Sequence, residues 1–228
     1  MRRLSKRLGV FLIMLVMMIC IAGCGNSQEN DKEKNKASSD KKNAQEPNSS
    51  VIGDGKILVV YFSRTGEQYT VGVIEEGNTA IVAKMIADQT GADLFEVLPA
   101  DDHYPMTYSE LTDVAKREQS KKARPEYAGE VPDLSKYSTI FIGAPVWWGD
   151  WPMIMYTFFE KNADALAGKN LIPFSTHEGS GLSGFDKKLS KACPDSAVLD
   201  GLAVRGNDAQ NARDDVRESV KKWISDLQ

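Results

Sequence analysis

Three segments of this 228-residue chain contain the residue types that bind phosphates and flat rings. The first, residues 63–79, reads SRTGEQYTVGVIEEGNT and runs directly into a helical pattern. A phosphate binds well there because free backbone N–H groups, the positive end of a helix dipole and short hydroxyl donors converge. Glycines let the backbone approach the ligand closely. The donors and glycines are Ser63, Thr65, Gly66, Gly77, Asn78 and Thr79.

This first segment matches neither of the common nucleotide-binding loops. It has no GKS or GKT triplet, which excludes a Walker loop, and no GxGxxG pattern, which excludes a dinucleotide fingerprint. The alternative is an ordinary polar loop in which Asn78 or Thr79 caps the helix. The loop alone leaves both interpretations open.

The second segment, residues 143–152, reads GAPVWWGDWP and holds three tryptophans within five positions. A flat ligand suits such a cluster, because stacked aromatic pairs add roughly 0.5–1.5 kcal/mol beyond the burial of their area. The alternative is that these rings cap the hydrophobic core.

The third segment, residues 175–185, reads STHEGSGLSGF and combines glycines and small donors with His177 and Glu178. A backbone of this kind can approach the edge of a planar ring and form hydrogen bonds with it. The alternative for His177 is a surface-loop histidine without a special role, and His103 is given no role.

Alternating strands and helices position these segments. Short apolar runs predict strands at 56–62, 93–98, 138–143, 170–175 and 197–204. Longer amphipathic patterns predict helices at 79–89, 108–122, 153–161, 182–191 and 209–227. Such alternation favours an α/β fold with a parallel sheet covered on both faces, where ligands bind beyond the carboxyl ends of the strands. The three segments follow the first, third and fourth strands.

Together, the motifs YFSRTG…GNT, GAPVWWG and FSTHEGSG resemble the flavodoxin family, and more closely its bacterial flavodoxin-like members with an extended phosphate loop. The resemblance covers residues 56–228. It implies a three-layer, doubly wound, five-stranded parallel sheet with strand order 2-1-3-4-5, and FMN as a non-covalent cofactor.

The resemblance also assigns roles to individual residues. It implies that the FMN phosphate is held by Ser63, Arg64, Thr65, Asn78 and Thr79. It implies that the isoalloxazine ring is lined by Pro145, Val146, Trp147, Trp148 and Gly149. It implies that the other edge of the ring is bordered by Thr176, His177, Glu178, Gly179, Ser180 and Gly181.

One departure from the family pattern is an insertion. Simple flavodoxins run Thr-Gly-Asn-Thr without interruption, whereas residues 67–76 separate the two halves of this motif here. The insertion is expected to bring Tyr69 or Val71 near the flavin. Glu75 and Glu76 must then point to solvent, because they lie close in sequence to the residues expected at the phosphate dianion.

The N-terminal residues predict export and lipid anchoring. Residues 1–23 combine a basic start with an apolar run, as a signal peptide does, and end in Ile-Ala-Gly before Cys24. This resembles the lipobox of bacterial lipoproteins and implies acylation of Cys24 at the extracytoplasmic face. Residues 24–52 predict a disordered tether, and residues 53–228 the folded domain. The alternative is a short membrane anchor that stays attached.

The net charge of the domain limits the classes of binding partner, and its cysteine content indicates the role of Cys193. Residues 53–228 contain 27 acidic and 19 basic residues, a net charge of −8, so nucleic acid is not expected as a partner. Cys193 stands alone in the domain and predicts a small buried hydrophobe.

These observations favour electron transfer with an unknown redox protein at the outer face of the cytoplasmic membrane. The first alternative is an FMN-dependent reductase that uses NAD(P)H or a quinone, in which His177 could supply a proton. The second is a lipoprotein that only binds a ligand, without redox chemistry.

Overall fold

In this computed structural model, the structure describes Ile52 and residues 55–227. The predicted signal peptide, Cys24 and nearly all of the tether lie outside the described residues, so lipidation and export stay predictions. In the part of the chain that is described, no helix is both long and apolar enough to span a membrane.

The secondary structure alternates as the sequence predicts. In chain order, the strands are β1 (Lys56–Tyr61), β2 (Gly66–Gln68), β3 (Gly72–Ile74), β4 (Asp93–Glu96), β5 (Leu98–Pro99), β6 (Tyr127–Ala128), β7 (Tyr137–Pro145), β8 (Asn170–His177), β9 (Ala197–Val198) and β10 (Leu202–Arg205). The helices are α1 (Asn78–Thr90), α2 (Tyr108–Lys121), α3 (Met153–Lys161), α4 (Ala163–Leu166), α5 (Phe185–Ala192), α6 (Gly206–Asn211) and α7 (Arg213–Asp226), with a 3-10 turn at Leu134–Lys136.

The main sheet is parallel and has the spatial order β4-β1-β7-β8-β10. The fifth position is shared, because β9 pairs with the start of β8 and β10 pairs with its end. This order confirms the predicted doubly wound arrangement 2-1-3-4-5. It brings the carboxyl ends of β1, β7 and β8 together as neighbours.

Two cores lie on opposite faces of the sheet, because successive side chains of a strand alternate between its faces. Leu58 and Val60 of β1 belong to the core that also includes residues of α3 and α5. Val59 and Tyr61 belong to the core that also includes residues of α1 and α7. The sheet is therefore buried on both sides, as the apolar runs of β1 and β7 indicate.

Two predicted elements are interrupted. The predicted fifth strand divides into β9 and β10, and Gly201 between them is packed so closely that an added Cβ would lie 2.5 Å from the Pro173 carbonyl oxygen. The predicted terminal helix divides into α6 and α7 at Ala212, whose φ of −133° and ψ of 45° are not helical. Local periodicity does not register the helix break, because the apolar spacing continues through Ala212, whereas Asp200-Gly201 interrupts the apolar run at the strand break.

We expect Gly143→Ala to lower the free energy of unfolding by about 1–3 kcal/mol, the usual cost of overpacking. A Cβ at Gly143, near the carboxyl end of β7, would lie 2.0 Å from Cζ of the fully buried Phe174 on neighbouring β8. Urea unfolding measures the change. Phe174→Leu should recover part of the loss in the double variant, since the two side chains compete for one space; strictly additive losses would contradict this explanation.

Candidate functional site

The three loops after β1, β7 and β8 surround one cavity of about 290 Å³. Ten predicted site residues line it: Arg64, Asn78, Pro145, Val146, Trp147, Trp148, Thr176, His177, Glu178 and Ser180. The other eight do not line it: Ser63, Thr65, Gly66, Gly77, Thr79, Gly149, Gly179 and Gly181. The predicted convergence of the three segments is thus present, whereas the contacts of each residue with FMN stay predictions.

The start of α1 has the features of an anion-binding site. Its N-cap residue, Gly77, has no side-chain hydrogen bond, and its first turn holds no acidic residue. The Ser63 hydroxyl accepts from the Ala80 N–H at 3.1 Å, so neither Asn78 nor Thr79 caps the helix. Gly77 is required at this position, because an added Cβ would lie 2.2 Å from Ser63 Oγ. The positive end of the helix dipole and its amides therefore suit a phosphate.

Thr79 connects the first loop to the third. Its hydroxyl lies 2.7 Å from the Thr176 hydroxyl, and both side chains are buried. The Thr79 side chain therefore faces the protein interior at the base of the cavity, where the pair of hydroxyls fixes the distance between the two loops.

Arg64 is held by the segment that follows β5. Nη1 donates to both carboxylate oxygens of Asp102 at 2.9 Å, and Nη2 donates to the Tyr104 carbonyl at 2.8 Å. Its guanidinium also lies 5.5 Å from the centre of the Tyr104 ring. Asp102 thus balances the Arg64 charge, while the buried Nε has no hydrogen-bond partner.

The insertion folds as a hairpin of β2 and β3 that packs on the start of α2. Glu67 N–H donates to the Met106 carbonyl at 2.7 Å, and its carboxylate accepts from the Tyr108 N–H at 2.8 Å. Tyr69 stacks on Tyr108 with ring centres 5.5 Å apart. Tyr69, rather than Val71, therefore lines the cavity.

Of the two glutamates at the end of the insertion, Glu75 is exposed as expected, whereas Glu76 is half-buried. Glu76 forms ion pairs with Lys84 at 2.7 Å and Arg213 at 3.1 Å. The hydrogen bond from Lys84 lowers the pKa of Glu76. The Lys84 charge and the hydrogen bond and charge of Arg213 lower it further and together outweigh the opposing effect of desolvation. Its negative charge is therefore neutralised on the side of α1 and α7.

The three tryptophans of the second loop have different surroundings. Trp151 is buried and stacks on Phe185 with ring centres 3.7 Å apart, so it caps the core. Trp147 lines the cavity and meets Phe62 and Tyr104 edge to face, each at 5.3 Å. Trp148 lines the cavity mouth and is 51% exposed.

Trp148 is held by a tight turn and by α2. Trp147 and Asp150 exchange two backbone hydrogen bonds, and both residues between them have positive φ, 51° at Trp148 and 72° at Gly149. Trp148 Nε1 donates to the Thr112 carbonyl at 2.9 Å, and Lys116 Nζ lies 4.7 Å from its ring centre. A non-glycine residue in this left-handed region costs roughly 1–2 kcal/mol, which these contacts help to offset.

His177 and Glu178 are both oriented by hydrogen bonds. His177 Nδ1 accepts from the Gly179 N–H at 2.9 Å, so the ring proton lies on Nε2. Desolvation lowers the pKa of His177, and the ring is a neutral hydrogen-bond donor at neutral pH. Glu178 accepts from the Asn207 N–H at 2.7 Å and faces the start of α6.

Five cavity residues escaped the site prediction: Gln68, Tyr108, Leu111, Thr112 and Ala115. The last four lie on one face of α2, at the spacing of three and four residues that a helix face has. That spacing is visible in the sequence. The sequence does not reveal that this face meets the three loops.

Behind the cavity, His103 does have partners. Its Nε2 lies 2.7 Å from Oε1 of Glu118, and the Tyr104 hydroxyl donates to Glu118 Oε2 at 3.0 Å. Burial lowers the pKa of His103, but the Glu118 hydrogen bond, the Asp101 carbonyl and both carboxylate charges outweigh it and raise the pKa. These contacts hold Tyr104 against Trp147.

Cys193 is buried, which confirms the predicted small hydrophobe. Burial raises the pKa of its thiol to about 11, so the reactive thiolate is scarce at neutral pH.

Comparisons with known proteins agree with this geometry. A family model described as Flavodoxin matches residues 56–227. A flavoprotein structure from Bacteroides uniformis is 31% identical with a TM-score of 0.58, covering 75% of this chain and 98% of that one. One from Bacteroides eggerthii is 28% identical with a TM-score of 0.55, covering 72% and 98%.

A Lactobacillus acidophilus flavoprotein in complex with FMN shares the fold, with 22% identity and a TM-score of 0.53 over 70% of this chain and 97% of that one. No protein with a curated description matches this sequence.

We expect the two histidines of the chain to titrate on opposite sides of their ordinary pKa of 6.5, His103 above it and His177 below it. His103 therefore contributes its full stabilisation of the fold below pH 6.5, and this contribution is lost as the pH rises through the raised pKa of His103 in the folded state. His177 instead destabilises the fold as the pH falls below 6.5. NMR titration of the imidazole signals tests this, with His103→Gln to assign them; two values on one side of 6.5 would contradict it.

Proposed function

Because this chain belongs to the flavodoxin family, whose cofactor is FMN, we propose that it is an electron-transfer flavoprotein lipid-anchored at the outer face of the cytoplasmic membrane. The observation that carries the redox proposal is the single cavity on which the three loops converge. Asn78 at the start of α1 lines one part of this cavity, and four aromatic side chains line other parts: Tyr69, Tyr108, Trp147 and Trp148.

The helix start fits the phosphate of FMN. No acidic side chain lies in the first turn of α1, and Glu76 is occupied by Lys84 and Arg213. Asn78 adds an amide on the cavity wall. The backbone amides and the helix dipole supply the attraction, because the Arg64 guanidinium is already bound by Asp102.

The aromatic walls fit the ring of FMN. Trp147 and Trp148 offer flat surfaces on one side, while His177 and Ser180 offer donors on another. When bound, FMN supplies the one- and two-electron chemistry, and the protein tunes it. The domain charge of −8 opposes the build-up of negative charge on a bound ring.

One observation favours the reductase as a second candidate. The hairpin and α2 add an aromatic wall, Tyr69 stacked on Tyr108, to the three expected loops. A flat second substrate such as a quinone or a nicotinamide could stack there. His177 is a weaker candidate for the proton donor of that reaction, because its lowered pKa leaves it neutral.

The location rests on the sequence of residues 1–24 and on no contact in the described residues. A lipid on Cys24 and a tether of about 28 residues would keep the domain close to the membrane surface. The redox partner would be a membrane-associated or exported protein with a basic face, because opposite charges steer association.

Reduction of the FMN-loaded protein distinguishes the two candidates. For a carrier, we expect anaerobic titration with dithionite to give two separate one-electron steps, followed by the flavin absorbance spectrum, and no reduction by NADH or NADPH. Rapid two-electron reduction by NAD(P)H would instead establish the reductase. A protein that takes up no FMN would exclude both and leave the non-redox alternative.

The anchor is tested by Cys24→Ser, which removes the acylated sulfur. We expect the wild-type protein in the membrane fraction and in the detergent phase, with the mature N-terminus carrying lipid by mass spectrometry. The variant should lack that lipid and keep the uncleaved signal segment, whereas Cys20→Ser, the matched control, should behave as the wild type. An unlipidated wild-type protein would show the anchor prediction to be wrong.

A further inference from the structure

The segment that follows β10 contacts two of the three cavity loops, although it belongs to none of them. Gln210 of α6 extends its amide towards the first loop. Gln210 Nε2 donates to Asn78 Oδ1 at 2.8 Å and to the Glu76 carbonyl oxygen at 2.7 Å. These bonds join residues more than 130 positions apart in the chain.

The bond to Asn78 fixes which end of its carboxamide faces Gln210. A carboxamide has an accepting oxygen at one end and a donating nitrogen at the other. Because the oxygen accepts from Gln210, it is occupied on the α6 side, and the nitrogen, which is the end that can donate, lies beside Gly206. The opposite rotamer would present the oxygen, which repels a phosphate.

The bond to Glu76 fixes the backbone just before the helix start. Glu76 is bound there from three directions: Gln210 at its carbonyl, and Lys84 and Arg213 at its carboxylate. The carboxylate nearest in sequence to the proposed phosphate site is thereby kept among cations.

The third loop is attached to the same segment. Glu178 accepts from the Asn207 N–H at 2.7 Å and lies 3.4 Å from Arg205. A Cβ added at Gly206 would lie 2.3 Å from Asn78 Nδ2 and 2.9 Å from Glu178 Oε1. The start of α6 therefore fills the space between the two loops, with no room for a side chain.

From these contacts, and resting on the proposed FMN binding, we propose that Gln210 is a positioning residue for the FMN phosphate. It orients Asn78 and the backbone at Glu76 so that the start of α1 presents donors alone to the phosphate. It does not contact the ring, so its effect is specific to flavins that carry a phosphate.

The test compares FMN with riboflavin, which has the same ring and no phosphate, on the full-length protein in detergent. Gln210→Met keeps the length of the side chain and removes both hydrogen bonds. We expect FMN affinity to fall about tenfold, the effect of one or two net hydrogen bonds, and riboflavin affinity to stay unchanged. Gln89→Met, at an exposed glutamine on α1, is the matched control and should change neither.

A second variant keeps the test decisive if Gln210→Met is poorly folded. Gln210→Glu has the same shape, but its carboxylate cannot donate to Asn78 Oδ1, so FMN affinity should fall further while riboflavin affinity again stays constant. Equal losses for both flavins, or no loss for FMN, would overturn the positioning role. A wild-type protein that binds neither flavin would overturn the proposed function itself, before any variant is compared.

Discussion

Backbone pairing between β1, β7 and β8 continues past the strands into the loops, and the site depends on this continuation. The Phe62 N–H donates to the Gly143 carbonyl at 2.9 Å, and the Val146 N–H donates to the Thr176 carbonyl at 2.9 Å. These bonds hold the first residues of each loop in the register of the sheet. The buried Thr79–Thr176 hydroxyl pair then ties the start of α1 to the end of β8. The sheet therefore positions the three loops relative to one another.

In an acidic domain that binds an anion, carboxylates near the site would repel the ligand. Three of them form ion pairs with cationic side chains here. Glu76 is paired with Lys84 and Arg213, and Glu178 with Arg205. Asp102 is paired with Arg64. Each pair places a cation within 3.4 Å of a carboxylate oxygen. These three acidic side chains therefore repel a nearby anion less than unpaired carboxylates would.

The parts of the fold that local patterns encode were predictable. β1 and β7 are apolar runs flanked by loop residues, and α3 begins at Met153 and ends at Lys161 as predicted. The three loops were predictable as a group because parallel strands end at one edge of the sheet. Ten of their residues do line one cavity.

The parts that depend on tertiary packing were not predictable. Arg64 lines the cavity as expected, but nothing local shows that Asp102 reaches its guanidinium. The cavity-lining face of α2 and the contacts of Gln210 were not predicted, because the sequence does not show which helix faces pack beside the loops. The positive φ of Trp148 was equally invisible, since tryptophan is not a residue that signals a left-handed turn.

The hairpin in the first loop has an evolutionary consequence. Its two ends are neighbours, because Gly66 pairs with Ile74, and the chain enters and leaves the insertion at almost the same point. The ten residues 67–76 can thus be gained or lost between Thr-Gly and Gly-Asn-Thr with little change in the path of the backbone on either side. Insertion of such a hairpin during evolution would change which ligands fit the cavity while the parallel sheet and its helices stay unchanged.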